Sequence, residues 1–505
     1  MGGMVWTFSG TGVQVVVQLL TIMALGRLLT PAEFGLMGAA MVVVAASQIV
    51  SQIGVGPAVI QLKVLEPVHL RVATTLSVTL GILLGAIVWF GADAIAAFYR
   101  MPELVPVLRA VAFLFPLNGV NTVAGALLTR ELRFRLYVAL EVGSYIVGYS
   151  VVGVVLAWLG FGVWALVGAQ LGQVALRATV MYFGARHPLR PSLDFRAARQ
   201  LLHFGFGHSM AQIGQLFSQQ GDNLVVGRWL GAAALGVYGR AYNLMVMPAT
   251  AFGRIVNRVL FPVMSQVQDE RHRLANAYER SAAIVALLSL PLSTFLWVVA
   301  PELIPIVLGP AWGAVVLPFR LFSISLLFRM SSKISDACTK AAGEVYKRAV
   351  IQFVFAGMVV GGAIIGQRWG VGGVAVCVSI AMGVNWLNMA QLARKVTGLD
   401  WGRFTRAHVP AALLAVVTGT AALLAAQVGR SAHLPAIPLL AAAGMAAVAA
   451  AAVVAWMSPA VFLGAHGTWA WREMEALVRR RTRAGARKAA PEAETLAPAG
   501  KAGQP

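Results

Sequence analysis

Gly26-Arg27-Leu28-Leu29 followed by Phe34-Gly35-Leu36-Met37-Gly38-Ala39-Ala40 returns 201 residues later as Gly227-Arg228-Trp229-Leu230 and Leu235-Gly236-Val237-Tyr238-Gly239-Arg240-Ala241. The copy extends upstream. Thr7, Thr11, Gln14, Gln18 and Thr21 stand at the same offset as His208, Gln212, Gln215, Gln219 and Asp222. In both copies the polar positions step by four, three, four and three, which keeps them on one face of a helix that is otherwise apolar. Two matched polar stripes on two matched hydrophobic helices imply a membrane protein of two lobes with something hydrophilic between them.

Composition agrees: 59% of the 505 residues are hydrophobic and 12% charged, which excludes an ordinary soluble protein of this length. Each apolar stretch is about 20 residues, enough to cross a hydrocarbon core of about 30 Å. Fourteen are expected. Six precede a polar break (5–25, 36–60, 71–91, 106–128, 136–158, 162–183) and six follow it (202–226, 235–261, 279–300, 315–339, 348–367, 371–393). The last two, 409–428 and 436–457, are rich in Ala and nearly free of buried polar groups.

The net charge of +21 is an orientation signal rather than a nucleic-acid footprint, because it falls in alternate loops. Lys63 and Arg71, then Arg130, Arg133 and Arg135, then Arg186, Arg190, Arg196 and Arg199, then Arg271 and Arg273, then Lys347 and Arg348, then Arg394, Lys395, Arg403 and Arg406, and finally the tail from Arg479 to Lys488 carry most of the positive charge. The positive-inside rule then places those loops and both termini in the cytoplasm, with contact to anionic lipid headgroups as a second effect. The N-terminus enters the first span without a basic leader or a small-residue cleavage site, so it reads as a retained helix. Cys338 and Cys377 both fall inside spans and imply neither a disulfide framework nor a thiol metal site.

The expected organisation is a first six-helix lobe over 1–184, a cytoplasmic linker over 185–199, a second six-helix lobe over 200–395, two additional helices over 396–457 and a basic disordered tail over 458–505. Leu193, Phe195, Leu201 and Leu202 alternate with Arg196 and Arg199 in a pattern that suits a short helix on the inner leaflet. An even number of spans per repeat makes the lobes parallel, related by an axis along the membrane normal, with the substrate site where they face each other.

Ionisable groups inside a bilayer cost at least about 2.5–3.5 kcal/mol on insertion scales and need a partner or a wet cavity. Most lie in the second half. Arg240, Asn243 and Arg254 share one helical stripe, and Arg329, Lys333, Asp336 and Lys340 another. The first half is milder, with Gln48 and Gln52 in span two, Glu141 in span five, and Gln170 and Gln173 in span six. The candidate cavity residues are therefore Gln14, Gln18, Gln48, Gln52, His208, Gln212, Gln215, Gln219, Arg240, Asn243, Arg254, Arg329 and Lys333. Guanidinium groups bind phosphate oxygens through paired donors, and amides suit hydroxyls. The plainer readings stand beside this: amides also bond neighbouring helices, and Arg258 and Lys340 lie where long side chains snorkel to headgroups. Asp336 is expected to pair with Lys333 or Lys340 on its own helix. Asp222, Asp336 and Glu141 are the candidate coupling carboxylates.

The chain contains no phosphate-binding G-x-x-x-x-G-K-[ST] loop, no H-E-x-x-H and no nucleophile elbow, so no enzyme, catalytic residue, metal or cofactor is expected. Three stretches carry a resemblance: Gly26 to Gly35; Leu127-Leu128-Thr129-Arg130-Glu131-Leu132-Arg133-Phe134-Arg135; and Ala300-Pro301-Glu302-Leu303 through Leu308-Gly309-Pro310-Ala311-Trp312. From about residue 5 to 395 the chain resembles the polysaccharide transporter family, the Wzx-type flippases of the multidrug/oligosaccharidyl-lipid/polysaccharide exporter superfamily. The resemblance implies an all-α polytopic protein with its two six-helix lobes in a V, a central cavity lined mainly by spans one, two, seven and eight, and two extra C-terminal helices. The activity it implies is alternating-access transfer of an undecaprenyl-diphosphate-linked oligosaccharide across the bacterial inner membrane, for exopolysaccharide, capsule or O-antigen synthesis. Its partners would be that lipid-linked oligosaccharide, membrane lipids, a polysaccharide polymerase and glycosyltransferases, with no nucleic acid. A cation-coupled small-molecule antiporter on the same fold is the alternative, and a non-transporting scaffold for synthesis enzymes is the third reading.

Overall fold

The computed structural model describes residues 2–51, 55–62, 64–185, 191–192, 194–256, 260–469 and 471–473, with side chains outside the description at 2–13, 48–51, 200–213 and 254–255. Among the described residues it is helical throughout, without a strand. Lipid leaves backbone groups no water to bond, and helices satisfy them within the segment.

The first half runs α1 (Gly2–Leu28), α2 (Pro31–Ser51), α3 (Val55–Gln61), α4 (Pro67–Tyr99), α5 (Leu104–Val111), α6 (Leu114–Arg130), α7 (Phe134–Ser144), a π-helical turn (Tyr145–Val151), α8 (Val152–Trp158) and α9 (Val163–Ala185). Sequence punctuation sets these ends. Pro67 opens α4 behind a reciprocal Glu66–His69 cap, where a missing amide hydrogen costs nothing. The α4–α6 contact is made at glycines: a β-carbon on Gly119 would sit 2.6 Å from the Ser77 carbonyl oxygen, and one on Gly81 equally close to that of Phe115. Small residues let membrane helices approach backbone to backbone.

The second half begins with α10 (Phe195–Ile255), then α11 (Phe261–Gln266), α12 (Arg271–Leu308), a 3-10 turn (Pro310–Val315), α13 (Val316–Ile324), α14 (Leu326–Ala341), α15 (Val345–Gly366) and α16 (Gly370–Thr397). Two more long helices, α17 (Trp401–Ser431) and α18 (Ala436–Met457), pack on α12, and a short α19 (Pro459–Phe462) follows. Arg430 ties α17 to α12 through both oxygens of Glu302, at 2.7 and 3.0 Å.

Three expectations change in detail. Among the described residues of the linker there is no separate surface helix. Asp194 accepts from the amides of Arg196 and Ala197 at 2.9 Å and starts α10 at Phe195, which then runs on into the seventh span until Gly231 breaks it. The stretch expected to be a disordered tail is helical over 459–462 and 464–469, held to α12 by His466 beside Glu279 at 3.4 Å and by Arg280 over the Trp469 ring; residues 474–505 lie outside the described residues. Among the described residues each of the fourteen apolar stretches is mostly helical, 52–54 and 257–259 lying outside them. Among the described residues, seven helices qualify by length and apolarity alone to cross a membrane, or eight with the bent pair Pro310–Ile324 and Leu326–Ala341 joined; the amides and arginine of α9, for example, dilute its hydropathy.

Candidate functional site

The two repeat copies touch each other. A β-carbon on Gly35 would overlap the carbonyl oxygen of Ala232, and one on Gly236 would overlap that of Pro31. Gly35 and Gly236 are 201 apart, as are Pro31 and Ala232, so the two contacts are one contact repeated about a pseudo-twofold axis between α2 and the second half of α10. The neighbouring glycines behave alike. A β-carbon on Gly26 would meet the Leu308 carbonyl oxygen at 2.9 Å, and one on Gly227 would meet the Tyr99 ring at 2.7 Å. Each half thus lays the end of its first span on the end of the other half's third. Trp312, fully buried, fixes one of these junctions by donating Nε1–H to the Gly26 carbonyl at 2.7 Å, with its ring edge-on to Phe34.

A cavity of about 390 Å³ adjoins this closure. Gln18 and Thr21 of α1, Tyr145 and Tyr149 of the π-turn, Gln170 and Gln173 of α9, and Arg240, Asn243 and Thr250 of α10 line it, so both halves contribute. The two tyrosine rings stack, 5.2 Å apart and 13° from parallel. The π-turn places them there; it packs so tightly that a β-carbon on Gly148 would meet the Gln173 backbone at 2.5 Å. Arg240 makes no ion pair among the described residues and lies 4.0 Å over the Phe34 ring. A desolvated guanidinium over an aromatic face gains about 2 kcal/mol or more from the ring quadrupole.

A second cavity of about 360 Å³ lies within the second half. Its wall is cationic: Arg329 and Lys333 of α14 and Arg348 of α15, with Asp336 as the one carboxylate among its lining residues. Gln215, Ser218 and Gln219 of α10, Gln352 of α15 and Asn385 of α16 complete the polar surface. Arg329 donates to the Tyr242 hydroxyl at 2.5 Å, while its Nε and the Oδ1 of Asn385 are buried without a partner.

Comparison with known proteins bears on what such an arrangement belongs to. Residues 24–317, more than half of the chain, match the family described as polysaccharide biosynthesis protein. The chain belongs to that family. It is 26% identical over 331 residues to the lipopolysaccharide biosynthesis protein WzxC of Escherichia coli, covering 65% of this chain and 67% of that one. It is 29% identical over 295 residues to the succinoglycan biosynthesis transport protein ExoT of Rhizobium meliloti, 58% and 59% of the two chains. With the teichuronic acid biosynthesis protein TuaB of Bacillus subtilis the identity is 27% over 349 residues, 68% and 71%. The fold is that of the lipid II flippase MurJ in an inward closed conformation, with a TM-score of 0.71 at 12% identity over 90% of this chain and 99% of that one. A multidrug resistance MATE transporter in an inward-facing conformation follows at 0.60 and 18%, over 76% and 95%. The protein is therefore an all-α, multi-pass membrane protein of the polysaccharide biosynthesis family.

Within this family member the residues singled out from sequence distribute unevenly. Gln18, Arg240 and Asn243 line the first cavity, and Gln215, Gln219, Arg329 and Lys333 the second. Among the described residues Gln18 and Gln219, equivalent in the repeat, line different cavities. Gln14 lines neither. Gln52 lies outside the described residues, as do the side chains of Gln48, His208, Gln212 and Arg254.

The carboxylates are all engaged. Asp222 is 1% exposed, accepts from the Tyr238 hydroxyl at 2.7 Å and the Asn223 amide at 2.9 Å, and lines neither cavity. Glu141 pairs with Arg177 at 3.3 Å. Asp336 pairs with neither Lys333 nor Lys340; it takes Arg348, whose Nε donates to Oδ1 at 3.1 Å, and Lys340 lies over the Phe261 ring instead. The turn at Gly343, φ 77°, brings α15 back alongside α14 and supplies the nearer cation. Sequence reasoning passed over Tyr145, Tyr149, Tyr242, Gln352 and Asn385. The i,i+4 spacing of the two tyrosines was the available signal.

Proposed function

We propose that this protein flips an undecaprenyl-diphosphate-linked oligosaccharide repeat unit from the cytoplasmic to the periplasmic leaflet of the bacterial inner membrane, by alternating access. The observation that carries the reading is a bundle closed at one end by reciprocal packing of its two repeat copies, with unpaired cations in polar cavities beside and beyond that closure. Loop charge makes the closed end periplasmic and both termini cytoplasmic. The lobes are taken as 1–184 and 200–395, joined by 185–199, with 396–457 as an accessory pair. Gln18, Arg240 and Asn243 on one side and Gln215, Gln219, Arg329 and Lys333 on the other are the substrate-contacting residues in this reading. The lipid tail stays in the bilayer while the head group occupies the cavities. The chain is a carrier rather than an enzyme, working between glycosyltransferases that build the repeat unit and a polymerase that consumes it.

Small-molecule antiport coupled to a cation would call for a carboxylate free to take up that cation. Asp336, the one carboxylate lining the second cavity, is held by Arg348. The test is complementation of a strain lacking this protein. The unmutated chain restores surface polysaccharide, and the double substitution Arg240→Ala with Arg329→Ala reduces it at least tenfold at equal protein level. Full complementation by the double variant would remove the site assignment, and failure of the unmutated chain in its own host would remove the function.

A further inference from the structure

We propose that the two cavities divide one substrate by chemistry: the second-half cavity is a phosphate pocket in which Arg329, Lys333 and Arg348 hold the diphosphate, and the first cavity is a glycan pocket built on Tyr145 and Tyr149. This rests on the flippase reading and adds where each part of the substrate binds.

The lining residues separate cleanly. The second cavity presents three cations against one carboxylate and no stacked aromatic pair; the first presents one arginine, four amides and two parallel tyrosines. A diphosphate diester carries two negative charges, and guanidinium groups meet its oxygens through charge-assisted paired donors. Arg329 and Lys333 make no ion pair among the described residues. Sugar rings present apolar C–H faces and hydroxyl rims. Flat aromatic surfaces cover the former, and amides, which both donate and accept, satisfy the latter. The first cavity has one cation, Arg240, among its lining residues against three in the second, so it offers an anion less.

Asp336 has a defined part in this arrangement. It neutralises Arg348, and a phosphate competes for the same guanidinium. The carboxylate thus weakens anion binding and permits release, a use of like-charge opposition that trades affinity for turnover. Asp336→Asn should therefore tighten the pocket, a gain that misfolding cannot imitate.

The experiment titrates the purified full-length protein in detergent with inorganic pyrophosphate, with farnesyl diphosphate and with the phosphate-free oligosaccharide, read by intrinsic tryptophan fluorescence and checked for monodispersity by size exclusion. Arg329→Gln and Lys333→Gln should each weaken both phosphate probes at least tenfold and leave the oligosaccharide within twofold. Tyr145→Ala and Tyr149→Ala should do the reverse, and Asp336→Asn should strengthen the phosphate probes severalfold. Binding of pyrophosphate without farnesyl diphosphate would show a pocket for the free anion and overturn the lipid-linked assignment. Equal loss of all probes in every variant, loss of phosphate binding with Arg240→Gln instead of Arg329→Gln, or weaker phosphate binding in Asp336→Asn would overturn the division itself. Failure here leaves the complementation result untouched, because the titration asks only where each part binds.

Discussion

The two repeat copies share their backbone contacts and differ in nearly everything else. Pro31 and Gly35 mirror Ala232 and Gly236 at the closure, yet the turns beside them use different means. In the first copy Thr30 precedes α2 and exchanges hydrogen bonds with Glu33: the Thr30 amide donates at 2.6 Å and the Glu33 amide returns a bond at 3.4 Å. In the second, Gly231 makes the break alone with φ 87° and ψ 178°, and Ala234 stands where Glu33 would cap. The cavities diverge in the same way, aromatic and amide-rich on one side and cationic on the other. Symmetry has been kept where the halves must fit together and abandoned where they meet different chemistry.

If the closure is symmetric, its two halves must be equally intolerant. Gly35→Val and Gly236→Val should each cut polysaccharide export at least tenfold at equal protein level, because a side chain at either position occupies the space of the facing carbonyl. Gly239→Ala, where an added β-carbon meets nothing within 4 Å, should remain within twofold of the unmutated chain. Export assays in the complemented strain decide this, and a large difference between Gly35→Val and Gly236→Val would break the symmetry argument.

The repeat made the two lobes legible in the sequence, and the four-three-four-three steps picked out Gln18 and Gln219 as polar faces. It did not show that the copies pack against each other, because a shared motif says nothing of where its partner lies. Nor could helical spacing find the partner of Asp336. It surveys one helix at a time, and Arg348 arrives from the next one through the Gly343 turn. The i,i+4 spacing puts Tyr145 and Tyr149 on one helix face, but nothing along that helix shows that the face lines a cavity with α10 of the other half. The cations of α14 were legible because charge inside an apolar span is expensive and needs a reason.

Exchanging residues between the turns sharpens the comparison further. Gly231→Thr writes the first copy's residue into the second and forces a β-branched side chain into a region of backbone space that glycine alone tolerates, a cost of about 1–3 kcal/mol. Thermal unfolding in detergent should register it as a clear loss of stability. Trp312→Phe comes next: it keeps the ring against Phe34 but leaves the Gly26 carbonyl without its donor, worth about 1 kcal/mol for a buried hydrogen bond. The equivalent Gly227 junction rests on the Tyr99 ring edge, so Tyr99→Phe should be nearly silent in the same assay.

The reverse exchange, Thr30→Gly, should also have a small effect. It removes the hydroxyl that accepts from the Glu33 amide and donates to the carboxylate at 2.9 Å, yet Glu33 can still take the amide of residue 30, and glycine before a helix costs only a few tenths of a kcal/mol relative to threonine. The contrast between Gly231→Thr and Thr30→Gly is thus the informative quantity, more than either value. A carboxylate-capped turn accepts glycine, whereas a glycine turn accepts nothing else. Equal losses for the two substitutions in thermal unfolding would mean that the first turn also depends on backbone strain, and that the copies close the bundle by one mechanism rather than two.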